Sequence, residues 1–110
     1  MVTIEILKDS EDSTVAFRVE GHAGFGESGE DIICAGVSAV TQTALVGLLK
    51  YLDKKPVHQR KPGLLACSLP EDLGHEDAQK AKFILGTMEE GLKEIEHSHG
   101  EFVELVIRRC

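Results

Sequence analysis

The chain has little with which to crosslink itself. Its 110 residues hold three cysteines, Cys34, Cys67 and Cys110. The count is odd and no CxxC pair occurs, which argues against a disulfide framework and for a reducing compartment. A zinc site would have to gather histidines from distant segments, and His97 and His99 lie near no cysteine, so neither metal nor cofactor is expected. No apolar run approaches the ~18 residues of a membrane helix. The start, MVTIEILKD, lacks a basic n-region and a signal-like core, so a cytoplasmic protein without membrane association is expected. Positive charge is also short. Twelve Lys and Arg stand against 19 Asp and Glu, for a net charge of −7. Nucleic-acid binders present a basic stripe, so no direct nucleic-acid binding is expected, whereas a basic protein partner would be attracted.

What is present is an ordinary globular composition, 42% apolar and 28% charged, in one domain spanning 1–110. Val2, Ile4 and Ile6 alternate with polar residues, and so do Val15, Phe17 and Val19, which predicts two strands joined as a hairpin. Glu20 to Glu30 holds four glycines without periodicity and reads as a loop. Ile33, Val37, Val40, Ala44, Leu48 and Leu52 then recur at helical spacing, predicting a helix from an Asp31 N-cap to about Asp53. Two short strands flank Pro62-Gly63, at Pro56 to Lys61 and Leu64 to Leu69. A second helix follows over about His75 to Ser98, with Gly100 placed to stop it. Val103, Leu105 and Ile107 alternate as a last strand. The order is ββαββαβ. The expected fold is α+β, with two helices packed on a mainly antiparallel sheet.

Function concentrates in residues 21 to 38, GHAGFGESGEDIICAGVS. Here Cys34 is expected in the first turn of the helix, where free backbone N–H groups and the positive dipole end favour a thiolate. His22 stands 12 residues earlier, and a loop of that length can fold back to bring its imidazole to the helix start. Thiol and imidazole together suggest a nucleophile and its base. A buried, inert cysteine and a loop histidine are the plain alternatives. Gly21 permits an unusual backbone path into His22. Asp31 reads either as the N-cap, the favoured choice, or as the group that orients His22. Ala35 is small enough for a substrate backbone to approach. Ser38, one turn past Cys34, either bonds a substrate or bonds the Cys34 carbonyl. Cys67 alternates with Leu65 and Leu69 as core, and Cys110 reads as an exposed tail.

Gly21-His22-Ala23, the loop glycine Gly29 and Asp31-Ile32-Ile33-Cys34-Ala35-Gly36-Val37-Ser38-Ala39 together resemble the signature of the ribosomal-processing cysteine protease family, Prp. Length and element order fit that family across the domain. Ile33 and Gly36 depart from its commoner residues without removing a catalytic group. The resemblance implies a small homodimeric endopeptidase with Cys34 as nucleophile and His22 as base. It implies, as substrate, the precursor of large-subunit ribosomal protein twenty-seven, whose short N-terminal extension is removed after a hydrophobic, aromatic-containing motif. It also implies a loop between histidine and cysteine that orders around substrate. The chemistry would be acyl transfer through a thioester, with backbone N–H groups at the helix start holding the oxyanion. Two other readings compete: a non-catalytic ribosome-associated binding module, and another cysteine hydrolase such as a thioesterase.

Overall fold

The computed structural model describes the backbone of residues 1–21 and 28–110, and the side chains of 1–21 and 32–110. Its elements are β1 (Val2–Lys8), β2 (Thr14–Glu20), α1 (Ser28–Tyr51), β3 (Val57–Lys61), β4 (Leu64–Ser68), α2 (His75–His99) and β5 (Val103–Arg109). This is the expected ββαββαβ order. The five strands form one sheet in the order β3-β4-β2-β1-β5. Every pairing is antiparallel except β1 with β5.

Alternation in the sequence becomes a two-faced sheet. Ile4 pairs with Val19 and Ile6 with Phe17. Leu105 lies beside Ile4 across the parallel ladder. One face is therefore apolar, and both helices cover it. Val2, Ile4, Ile6 and Phe17 are all buried there. The β1–β2 turn is held by Asp9, whose carboxylate accepts the Glu11 and Ser13 N–H groups at 2.9 and 3.0 Å. Asp12 takes a φ of 64° in that turn, a left-handed conformation that aspartate tolerates.

α1 presents Val37, Thr41, Leu45 and Leu48 to the core, and Leu52 just past its end joins them, each at most 1% exposed. Thr41 is accommodated there because its hydroxyl donates to the Val37 carbonyl at 2.8 Å. The helix corrects one expectation. Ile32–Tyr51 has a mean hydropathy of 1.9 over 20 residues, long and apolar enough by length and composition to cross a membrane. Ser38, Thr41, Gln42 and Thr43 interrupt the apolar run, but no charge enters between Ile32 and Lys50. In this fold the segment is the central core helix.

α2 packs Ala81, Leu85, Met88 and Leu92 inward. Its start is tied to the end of α1 by Asp77. That carboxylate accepts the N–H groups of Asp53 and Lys54 at 3.0 and 2.9 Å, which holds it below the usual carboxylate range. The sheet ends at β5 on one side, where the Leu105 N–H donates to the Glu96 carboxylate of α2 at 2.6 Å, and on the other at β3, whose five residues are all exposed.

The helix start also differs from expectation. α1 begins at Ser28, so Asp31 is its fourth residue and not its cap. Ser28-Gly29-Glu30-Asp31 is itself a Ser-x-x-Asp pattern, the sequence mark of an earlier start. The predicted boundary went to the aspartate adjoining the apolar run.

Candidate active site

A cleft of about 320 Å³ opens where the beginning of α1 meets the sheet and the β3–β4 turn. Cys34, Ala35 and Ser38 line it from α1, and Gly21 lines it from the end of β2. Four of the six residues singled out from sequence are therefore gathered in one place. His22 lies outside the described residues. So do the side chain of Asp31 and the Gly24–Glu27 part of the expected loop.

Gly21 shows why a glycine is needed before the histidine. Its φ is 106°, and a Cβ there would stand 2.5 Å from the Met1 carbonyl oxygen. Its N–H donates to the Gly63 carbonyl at 3.1 Å. The residue before His22 is thus clamped between the chain start and the β3–β4 turn, inside the cleft lining. Sequence identified both glycine positions as turn-like. Their mutual hydrogen bond joins segments 42 residues apart and has no local signature.

Cys34 is 7% exposed and sits in the core cluster while also reaching the cleft. It is the seventh residue of α1, not one of the first three. The four N–H groups without helical partners therefore belong to Ser28–Asp31, the turn before it. Helical side chains lean toward the N-terminus, so the Cys34 side chain is carried back toward that turn. The dipole's effect falls off within one turn and is correspondingly weaker here than at the expected position.

Ser38 lies one turn further along the same wall. Its hydroxyl has no hydrogen-bond partner among the described residues, so it is not spent on the Cys34 carbonyl. Polar groups that sequence reasoning did not single out complete the far end. Gln42 on α1 and Arg60 on β3 line the cleft, and Arg60 Nη1 donates to Gln42 Oε1 at 3.5 Å. An alternating strand motif holds no sign of which helix it will face, so Arg60 could not be placed from sequence.

The other thiols differ. Cys67 faces the core from β4, and burial pushes its thiol up to about 11. Cys110 is exposed at the chain end, with its sulfur 3.3 Å from the Lys8 carbonyl oxygen. Among the described residues no group of three or more His, Cys, Asp or Glu could hold a metal ion.

Comparison with known proteins places this geometry. Residues 1–104 match the family model described as cysteine protease Prp. The chain is 30% identical over 101 residues to the ribosomal processing cysteine protease Prp of Bacillus subtilis, covering 90% of each. It is 32% identical over 106 residues to the protein of that name from Staphylococcus aureus, covering 96% of this chain and 97% of the relative. In structure it is similar to the S. aureus Prp protease in complex with a substrate peptide. The TM-score is 0.84 at 26% identity, with 98% of this chain and 100% of that chain covered. The S. aureus protease with a covalently linked product peptide matches with a TM-score of 0.82 at 27% identity, over 98% of this chain and 100% of that one.

Proposed function

Because the chain belongs to the Prp family and is a cysteine protease, we propose that it removes the N-terminal extension of the large-subunit ribosomal protein twenty-seven precursor, with Cys34 as nucleophile and His22 as general base. The observation that carries the residue assignment is Cys34 in the wall of the cleft, opposite the clamped Gly21 that leads directly into His22. Cys67 is the competing buried thiol. It faces the core with its proton held tightly, which leaves it unsuited to attack.

The reaction divides into two steps. His22 takes the Cys34 thiol proton, and the thiolate attacks the scissile carbonyl carbon. The C–N bond breaks as the imidazolium protonates the leaving amine, leaving a thioester. Water, deprotonated by His22, then hydrolyses the thioester and restores the thiol. The oxyanion formed in each step is held by backbone N–H groups from the Ser28–Asp31 turn, toward which the Cys34 side chain leans. Ser38 contacts the substrate through its available hydroxyl. The small side chain of Ala35 lets the substrate backbone close on the helix. The site works without metal or cofactor. We place the reaction in the cytoplasm, before the precursor is used in the ribosome, and assign the enzyme to a homodimer.

The test is incubation of the purified protein with the extended precursor, read by intact mass and N-terminal sequencing. Cys34→Ala should abolish processing with the melting temperature kept. His22→Ala should lower the single-turnover rate by ~10²–10⁴-fold, the usual contribution of a general base. Full processing by Cys34→Ala would sink the assignment. Precursor binding without cleavage would return the chain to the binding-module reading. Hydrolysis of thioesters alone would return it to the thioesterase reading.

A further inference from the structure

The cleft differs in charge from the molecule around it. The chain carries a net −7. Yet among the described residues that line the cleft, the charged ones are Arg60 and Lys61, both cations and both exposed. They stand at the end of β3, an edge strand with no strand paired to its outer side among the described residues. Arg60 pairs with Leu65, whose side chain is buried, so it lies on the sheet face that carries the helices. There the one hydrogen-bond partner of its side chain among the described residues is the neutral Gln42 amide, at 3.5 Å. Neither cation makes an ion pair with a described residue. A guanidinium held at the limit of a neutral hydrogen bond is open to exchange that partner for a carboxylate. Bonds of the latter kind are about twice as strong and match the planar fork.

Position follows from helix geometry. Gln42 is eight residues beyond Cys34 on α1. At ~1.5 Å rise per residue this is about 12 Å along the axis. An extended peptide advances ~3.3 Å per residue. A chain with its scissile carbonyl at Cys34, running along α1, brings the side chain three or four residues away to Arg60. We propose that Arg60 forms a specificity subsite for an acidic side chain of the substrate, three or four residues from the scissile bond. The proposal rests on Cys34 being the nucleophile. It adds a local preference for acid to an enzyme whose overall charge repels acidic chains.

A fluorogenic peptide spanning the precursor's cleavage site tests it. Each position from two to six residues on either side of the scissile bond is varied among Glu, Gln and Lys. At one position three or four residues away, Glu should raise kcat/KM over Gln by ~10-fold, mainly through KM, as a charge-assisted bond of ordinary strength would. Lys there should fall below Gln. Arg60→Ala should bring the Glu/Gln ratio close to one. Arg60→Glu should favour Lys. Equal Glu and Gln rates at every position, a preference confined to other positions, or a preference that survives Arg60→Ala would each overturn the subsite. Failure of the nucleophile assignment reads differently, as cleavage of the Gln peptide by Cys34→Ala.

Discussion

Two buried cysteines in one small domain have different surroundings, and the difference is testable with a single reagent. Cys67 is 2% exposed among apolar side chains, with its thiol pushed up to about 11, so it is protonated throughout the neutral range. Iodoacetamide at neutral pH should leave Cys67 unmodified in the native protein and modify it only after unfolding. Mass spectrometry of the labelled peptides reads this directly. Native labelling of Cys67 as fast as that of the exposed Cys110 would contradict the burial. Gly21 offers a second residue-scale test. An alanine there meets both the 106° φ and the Met1 carbonyl oxygen at 2.5 Å. Strain of this kind costs about 1–3 kcal/mol. Gly21→Ala should therefore lower the melting temperature, and it should lower kcat/KM further by displacing the backbone that leads into His22. Calorimetry with peptide kinetics checks both.

At the scale of elements, α2 is stapled to the sheet by charge as well as by apolar packing. Lys8 on β1 and Glu89 on α2 pair at 2.8 Å, with side chains 10% and 6% exposed. Lys93 adds a 3.0 Å contact to the other Glu89 oxygen. Burial alone would raise the Glu89 carboxyl, but the bonds and charges of Lys8 and Lys93 outweigh it and hold it below its ordinary value. Removing one partner of a buried pair strands the other, at a cost of about 3–5 kcal/mol. Glu89→Ala should approach that loss in chemical denaturation. The double change Lys8→Met with Glu89→Leu should recover most of it. Because Glu89 is depressed in the fold, its contribution is present above its unfolded pKa and is lost as pH falls through the lower folded value. Wild type should therefore lose stability more steeply below about pH 4 than Glu89→Gln does, in unfolding titrations across that range. Strands and helices themselves were legible from period alone. In β1 and β2 the apolar positions Val2, Ile4, Ile6, Phe17 and Val19 became the buried face. Val15 is the exception: the register shifts at Leu7/Lys8, and Thr14 takes the buried position in its place. The start of α1 was missed because two capping patterns overlap there, and only long-range packing chooses between them.

For the whole molecule, the open question is what covers its exposed apolar surface. Phe83 is 69% exposed and Val46 54%, both on the helical layer, and β3 and β5 are the edge strands of the sheet. An apolar groove of about 760 Å³ runs between α1 and α2, past Val40, Ile84 and Phe83. Surface of this kind fits the proposed homodimer, since exposed apolar patches and strand edges are ordinarily covered. Light scattering over a dilution series should give twice the 12.0 kDa chain mass at micromolar concentration. A strictly monomeric mass with full proteolytic activity would show that neither fold nor catalysis depends on pairing.

By itself the sequence determined the elements and their order and pointed to the proposed Cys34–His22 pair, because period, turn chemistry and a compact motif are local properties. The Gly21-His22-Ala23 start and the Asp31 to Ala39 run needed no coordinates to suggest a thiol protease. Only tertiary structure decided the sheet order, with β1 between β2 and the parallel β5. It also decided the Gly21–Gly63 clamp, the Asp77 tie between the helices and the presence of Arg60 and Gln42 in the cleft of Cys34. Each of these joins residues far apart in the chain. Such contacts form only when the apolar faces of α1, α2 and the sheet close on one another. The sequence encodes those faces by their period, but no local pattern records which polar groups their closure brings together.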